Sequence, residues 1–288
     1  MTQQVAFSQR QRLQFIESIA FWEGAIDRPR VARVFGVSEN HVTKDFTFYR
    51  KNFPGNLDYD LSRRFYQPGK KFRQRFSSGS ADEYLSLLRA SQEGLGAATV
   101  PTIGEGVTAE LIPCPVGRVD PAVLKEITRS LHRGTGIRIT YQSLQAEEPT
   151  KRVVWPHAII FTGMRWHVRV FDSKYEDFID LVLQRILSIE ATDAPAPCSV
   201  KEDVKWNKLV VVTLVPRSKL PTSHQDVIAR EFGMERIGGI WHWQRKIRDC
   251  FVPYFLESMA LSRDIAHLHP KVELIEAELL KTHSFPFS

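Results

Sequence analysis

Residues 27–53 read DRPRVARVFGVSENHVTKDFTFYRKNF, and the punctuation of this run decides the N-terminal architecture. Asp27 is a good N-cap, and Pro29 falls in a first helical turn, where its missing N–H costs nothing. Gly36 ends that helix, Val37 supplies an apolar plug, and Ser38 caps a third helix, the first being the run 8–23. In the third helix Val42, Phe46, Tyr49 and Phe53 recur at helical spacing and should face a core. Asn40, His41, Thr43, Lys44, Thr47, Arg50 and Lys51 lie on its other faces. Upstream, residues 8–23 begin at Ser8 as N-cap and bring Leu13, Ile16, Ile19 and Ala20 to one side.

Downstream of Pro54-Gly55, LDYDLSRRFYQPGKKFRQRF (57–76) alternates apolar and polar residues around Pro68-Gly69, which predicts a two-stranded ribbon turning there. The helix spacing resembles the helix-turn-helix family, with a small Ala32, then Gly36, then an inward Val42. Val37-Ser38 with Val42-Thr43-Lys44-Asp45-Phe46 is similar to the "VS…TV-x-R-D-L" stretch of winged-helix repressors. The resemblance implies that the third helix, with Ser38, enters the major groove of double-stranded DNA. It implies also that the ribbon is a wing whose Arg63, Arg64, Lys70 and Lys71 meet phosphates. Charge agrees: residues 1–76 hold 14 Lys and Arg against 7 Asp and Glu, while the rest of the chain holds 25 against 26. A basic surplus confined to one module is expected where that module alone faces a polyanion. A three-helix bundle that binds protein is the plainer alternative.

Residues 80–93 read as a helix, followed by a Gly/Ala/Thr/Pro-rich stretch to about Pro115. Gly94, Gly96, Gly104 and Gly106 there lack the Lys-Ser/Thr of a phosphate loop. A helix follows from its cap Asp120 through Pro121 to Gly134. From Ile137 the period drops to two, and strands are readable there and in VVWPHAIIF, RWHVRVFD and FIDLVLQRILSIE, a small curved barrel pattern. In RWHVRVFD, Arg165, His167 and Arg169 share one face while Trp166, Val168 and Val170 pack the other way. Cations so placed repel unless solvated or given an anion. A solvated face with acidic neighbours Asp172, Glu176 and Asp177 is the alternative.

Residues 119–195 resemble the WYL family. The matching pieces are Ile139-Thr140-Tyr141-Gln142-Ser143, Arg152 to Pro156-His157, the naming strand with Trp166-His167-Val168 in place of Trp-Tyr-Leu, and Arg185-Ile186. The resemblance implies a small Sm/SH3-like β-barrel and gathers Tyr141, Ser143, Arg152, His157, His167, Arg169 and Arg185 into one pocket. Such a set would grip a nucleotide or single-stranded nucleic acid, with arginines on phosphates and Tyr141 on a base. His167 beside Arg169 should make the pocket more cationic.

After the Pro-containing linker APAPCSVKED come a strand (KLVVVTLVP), a helix (HQDVIAREFG), a strand (ERIGGIWHWQRKI), a helix (DCFVPYFLESMALS) and an ambiguous KVELIEAELL. Trp241 and Trp243 fall on one strand face, which reads as core. The order resembles the C-terminal extension that pairs protomers in WYL regulators. The expected whole is therefore a multidomain α+β chain: winged helix-turn-helix 1–79, connector 80–118, ligand-sensing domain 119–195 and dimerisation domain 204–288. HExxH, P-loop, Gly-x-Ser-x-Gly and clustered carboxylates are all missing from the sequence, which argues against an enzyme. Neither a cofactor nor a metal is expected. The spacing of Cys114, Cys198 and Cys250 suits neither a disulfide framework nor zinc, and no apolar run is long enough to span a bilayer, so a cytoplasmic protein is expected. The whole is most similar to WYL regulators of bacterial phage-defence loci of the BREX and CBASS type. That resemblance implies a homodimeric repressor on an inverted-repeat operator, relieved by a nucleotide or nucleic-acid ligand. A ligand-dependent activator and an RNA- or single-strand-binding accessory protein remain open.

Overall fold

The computed structural model describes residues 5–93, 107–261 and 271–283; the glycine-rich stretch 94–106 lies outside them. The chain divides into two compact units, Met1–Pro113 and Cys114–Ser288.

In the first unit α1 (Phe7–Glu23), α2 (Arg28–Phe35) and α3 (Glu39–Asn52) are followed by β1 (Leu57–Asp60), β2 (Phe65–Pro68) and α4 (Ala81–Gln92). Asp27 caps α2 by accepting from Arg30 N–H, and Ser38 caps α3 by accepting from His41 N–H. At α1 the cap position is Ala6, with no side-chain bond, and Ser8 lies inside the helix. Leu13, Ile16, Ile19 and Ala20 of α1 meet Val42, Phe46 and Tyr49 of α3 in one buried cluster, closed by Leu57 and Tyr66 of the ribbon. The same cluster includes Leu88, so α4, which the sequence assigns to a connector, packs onto this core.

The ribbon differs from expectation in where it turns. Leu57 pairs with Pro68 and Asp60 with Phe65, so the bend is at residues 61–64. There Asp60 Oδ1 accepts from the backbones of Ser62 and Arg63, and Arg64 takes a positive φ of 58°. Gly69 serves a different purpose: a Cβ there would stand 2.2 Å from the Gly55 carbonyl oxygen. The Pro-Gly pair thus marks a close crossing of two backbones rather than a hairpin turn.

In the second unit α5 (Pro121–Arg133) packs Val123 and Ile127 onto a five-stranded antiparallel sheet. Its strands are β3 (Thr135–Tyr141), β4 (Thr150–Phe161), β5 (Trp166–Asp172), β6 (Asp177–Val182) and β7 (Ile186–Pro195), in the order β6-β5-β4-β3-β7. The run FIDLVLQRILSIE is two strands, broken by a 3-10 turn at Leu183–Arg185. The sheet is not hydrogen-bonded shut; the chain turns from edge to edge through that break. β4 carries a bulge at His157, because Pro156 pairs with Val170 and Ala158 with Arg169. A short helix α6 (Val204–Asn207) leads to β8 (Leu209–Pro216), α7 (Thr222–Glu231), β9 (Glu235–Ile237), β10 (Ile240–Arg248), α8 (Val252–Ser258), β11 (Val272–Leu274) and α9 (Leu279–Thr282). These strands form a second sheet, β11-β8-β10-β9. ERIGGIWHWQRKI is a hairpin rather than one strand: Gly238 and Gly239 both have positive φ, 60° and 86°, which a tight two-residue turn requires. Trp241 and Trp243 pack against the core beneath it. No helix of the described residues is long and apolar enough to cross a membrane.

Candidate nucleic-acid interface and ligand site

On α3, Asn40, His41, Lys44, Thr47, Arg50 and Lys51 are exposed and Thr43 is half-buried, with Ser38 exposed at the cap. The Thr43 and Thr47 hydroxyls donate to the carbonyls of Glu39 and Thr43, at 2.8 Å each. Asp45 faces inward instead. It is buried against Arg12 of α1, whose Nε donates to Oδ2 at 2.6 Å, and it also accepts from Gln9 at 3.0 Å. Glu17 is buried with it: Oε1 accepts from the backbone N–H groups of Arg75, Phe76 and Ser77, and Oε2 from the Tyr49 hydroxyl. Burial and the Glu17 carboxylate together push the Tyr49 phenol well above its ordinary range. This carboxylate ties α1, α3 and the segment after the ribbon together.

Arg63 and Arg64 are exposed at the ribbon's bend. Lys70 and Lys71 are not at the bend; with Asn52, Asn56, Arg73 and Arg75 they line a cleft of about 550 Å³ beside the end of α3. Among the described residues none of these cations makes a salt bridge. The unit therefore carries two separate groups of exposed cations, one at the bend and one in the cleft beside the end of α3.

In the second unit the sequence-picked cations divide into two groups. Arg169 is 3% exposed and fully engaged. Its Nε and Nη2 donate to the two oxygens of Asp203 at 2.6 and 2.8 Å, and Nη1 donates to Asp180 at 2.9 Å. Burial opposes its charge, but these two carboxylates overcome that and raise its pKa. Tyr254 of α8 donates to the other Asp180 oxygen at 3.0 Å. His157, turned by the bulge, places Nε2 3.0 Å from Asp203, and burial still lowers its pKa. Arg152 is also buried, 2.9 Å from Asp172 and stacked on Tyr141 at 5.0 Å. A pocket of uncompensated charge is thus not what surrounds Arg169, His157 and Arg152: the first two share Asp203, Arg169 also holds Asp180, and Arg152 lies against Asp172.

His167 shares Arg169's face as alternation requires, but that face is covered, with the Tyr254 ring 5.2 Å away. Burial takes its pKa down to about 4, so at neutral pH it adds no charge, contrary to expectation. Trp166 is half exposed, its ring tilted against Phe161 at 4.9 Å, rather than core. Arg165 and Arg185 are half-buried, make no salt bridge among the described residues, and both oppose protonation of His167. Tyr141 accepts at its hydroxyl from Val182 N–H, the Arg185 carbonyl accepts from Gln142 N–H, and Ser143 follows directly. Tyr141, Ser143, His167 and Arg185 therefore cluster where β6 passes into β7.

Three family models match in the order of these elements. They are the BrxR transcriptional regulator winged helix-turn-helix domain over residues 8–90, the WYL domain over 122–191, and the BrxR transcriptional regulator C-terminal dimerization domain over 209–279. The DNA-binding transcriptional repressor CapW of Pseudomonas aeruginosa is 31% identical over 92% of this chain and 87% of its own length. The chain belongs to the BrxR/CapW family of DNA-binding transcriptional regulators. The CapW repressor of Stenotrophomonas maltophilia is 28% identical over 94% of this chain and 91% of its own, and that of Escherichia coli 28% over 92% and 87%. A solved structure, proteasome accessory factor B/C of Arthrobacter aurescens, aligns with 95% of this chain but only 45% of its own, at 16% identity and a TM-score of 0.29. That alignment carries no weight beside the others.

For a BrxR/CapW-type regulator the residues that sequence reasoning missed are those that complete buried pairs. Arg12 sits on α1 among mostly polar neighbours, Glu17 lies in the largely apolar run 15–20, and Asp203 sits in what reads as a linker. Only for Asp203 is there a local signal: Ser199 and Glu202 form a capping box just before it, and it caps α6 by accepting from Trp206 N–H.

Proposed function

We propose that this regulator is a homodimeric repressor of its own operon, among phage-defence genes, that reads an inverted repeat with α3. It is relieved when an anionic, nucleotide-like or single-stranded nucleic-acid ligand occupies the WYL domain. The observation that carries the DNA half is the set of exposed cations on α3, at the ribbon's bend and in the cleft beside the end of α3, none in a salt bridge among the described residues, together with relatives named as DNA-binding repressors. Ser38, Asn40, His41, Thr43, Lys44, Thr47, Arg50 and Lys51 provide the groove-facing helix; Arg63, Arg64, Lys70 and Lys71 hold the backbone on either side.

For the ligand, the support is the half-buried Arg165 and Arg185, which make no salt bridge among the described residues and both bear on the neutral His167, with Tyr141 and Ser143 near Arg185. Arginines left unpaired in a partly dry site favour a phosphate or carboxylate partner. Arg152, His157 and Arg169 stand behind that surface and hold the sheet and the C-terminal elements in place. An effector shifts the dimer only as far as it prefers one geometry of it. The test titrates the duplex upstream of the gene, a scrambled duplex and its single strands with full-length protein, then repeats with short single strands and cyclic oligonucleotides added. Specific duplex binding released by an oligonucleotide is expected. Tighter duplex binding with the oligonucleotide would make the protein an activator, and preference for single strands alone would remove the operator reading.

A further inference from the structure

Arg12 does more than neutralise Asp45. Its Nη2 lies 3.3 Å from Asp45 Oδ1 and 2.8 Å from Nε2 of His41. A guanidinium has donors only, so the His41 Nε2 must accept, and the ring's single proton is then on Nδ1. His41 is the third residue of α3, its backbone N–H is tied to Ser38 Oγ, and its side chain is exposed. Residues of the first turn of a recognition helix are those that reach base edges. The histidine, exposed as a residue, therefore has one nitrogen committed to the protein, while its Nδ1 makes no hydrogen bond among the described residues.

We propose that His41 reads a purine N7 through a fixed Nδ1–H donor, and that Arg12 is the positioning residue that fixes it. This rests on α3 being the DNA-reading helix. Imidazole normally presents either a donor or an acceptor on each nitrogen, and a reader with that freedom tolerates either kind of base edge. Locked as a donor, the ring matches the N7 acceptor of guanine or adenine and meets the N4 amino donor of cytosine unfavourably. The lock is rigid because Arg12 and Asp45 are both buried, Arg12 Nε holds Oδ2 and Gln9 also donates to Oδ1. The choice of base at one position in each half-site is thus set by a residue of α1 that itself touches no DNA.

The experiment selects a half-site from a randomised duplex pool with full-length protein, then replaces its purines one at a time with 7-deaza analogues. The parent should lose about three- to tenfold in affinity at one position per half-site, the worth of one neutral hydrogen bond. In His41→Ala that loss should vanish; in His41→Asn, which keeps a donor near the Nδ1 position, part of it should return. Arg12→Lys keeps the charge opposite Asp45, so its base preference at this position should relax while its salt dependence stays that of the parent. If His41→Ala weakens all sequences equally and leaves the 7-deaza pattern intact, His41 is a phosphate contact or a brace and the proposal falls, while α3 keeps its place. If Asn40→Ala, His41→Ala and Thr43→Ala all leave DNA binding untouched, the reading of α3 falls and takes the proposal with it.

Discussion

Alternation along β5 puts His167 and Arg169 on one face, and the structure keeps them there; what alternation cannot see is what lies over that face. Asp203 and Tyr254 come from 34 and 85 residues further along the chain, so no local pattern reports that Arg169 is already neutralised. His157 is a separate case, since a bulge changes the side to which a strand residue points. These facts reverse the ranking of the arginines: Arg169→Ala should uncover two buried carboxylates, and Arg185→Ala should uncover none. Removing one partner of a buried pair costs about 3–5 kcal/mol, whereas a half-exposed unpaired arginine is worth little to stability. Denaturant unfolding should therefore show a large loss for Arg169→Ala and a near-parental midpoint for Arg185→Ala, with ligand-dependent release of DNA lost in the latter. Equal midpoints would mean that the Asp180–Arg169–Asp203 triad does not form in solution. His167 gives a pH signature. Its pKa falls from 6.5 unfolded to about 4 folded, so between those values the unfolded chain takes up the proton first. Stability should then decline as pH drops from about 6.5 toward 4, by about 3 kcal/mol in all at 1.36 kcal/mol per unit. Unfolding midpoints of His167→Phe across that range should fall less steeply than the parent's, with His157 supplying part of the remaining slope.

Among the elements, the helices of the first unit are legible to within a residue or two because α2 and α3 open on side-chain caps and α1 and α2 close on glycines. Turns were the weak point, for a physical reason. Pro68-Gly69 carries turn chemistry, yet the glycine is needed for its closeness to Gly55, while the actual bend is built from an Asp60 side chain and an arginine with positive φ. Gly238-Gly239 was the opposite error, a real turn hidden inside an apolar run. The misplaced bend matters for function, since it moves Lys70 and Lys71 from the tip of a wing into the cleft beside Asn52. As cleft residues they should contact phosphates close to α3, and each phosphate contact contributes about −0.9 to the slope of log affinity against log salt. A Lys70→Ala/Lys71→Ala variant should weaken specific and scrambled duplexes alike and flatten that slope by up to about 1.8. Asn40→Ala or Thr43→Ala should leave the slope alone and narrow the gap between the two duplexes. Salt titrations of both duplexes measure all of this, and an unchanged slope in the lysine variant would put the cleft outside the DNA contact.

At the scale of the whole molecule, one recognition helix offers too few base contacts for operator-grade affinity, and paired half-sites are the usual remedy. The C-terminal sheet lies within the residues matched by the BrxR C-terminal dimerization domain, so pairing is expected there. The Pro-containing linker puts the start of that domain near residue 204, but the physical join is less clean. Asp203 is held by Arg169 and His157 while capping α6, and Trp206 packs 5.1 Å from the His157 ring and 5.7 Å from Phe251. The five-stranded sheet and the C-terminal elements thus share buried charge and aromatic contacts. A chain ending at Lys208 keeps Asp203 and α6 but loses Phe251 and Tyr254. It should be monomeric by light scattering at concentrations where the full chain is a dimer. It should also bind a two-half-site duplex no more tightly than a duplex with one half-site, and lose the spacing requirement of about 10 base pairs that a dimer imposes. Because the cut also removes Tyr254 from Asp180, the shortened chain should unfold at lower denaturant, so mass and affinity are read well below that midpoint. A shortened chain that stays dimeric there would move the pairing surface into the first 208 residues.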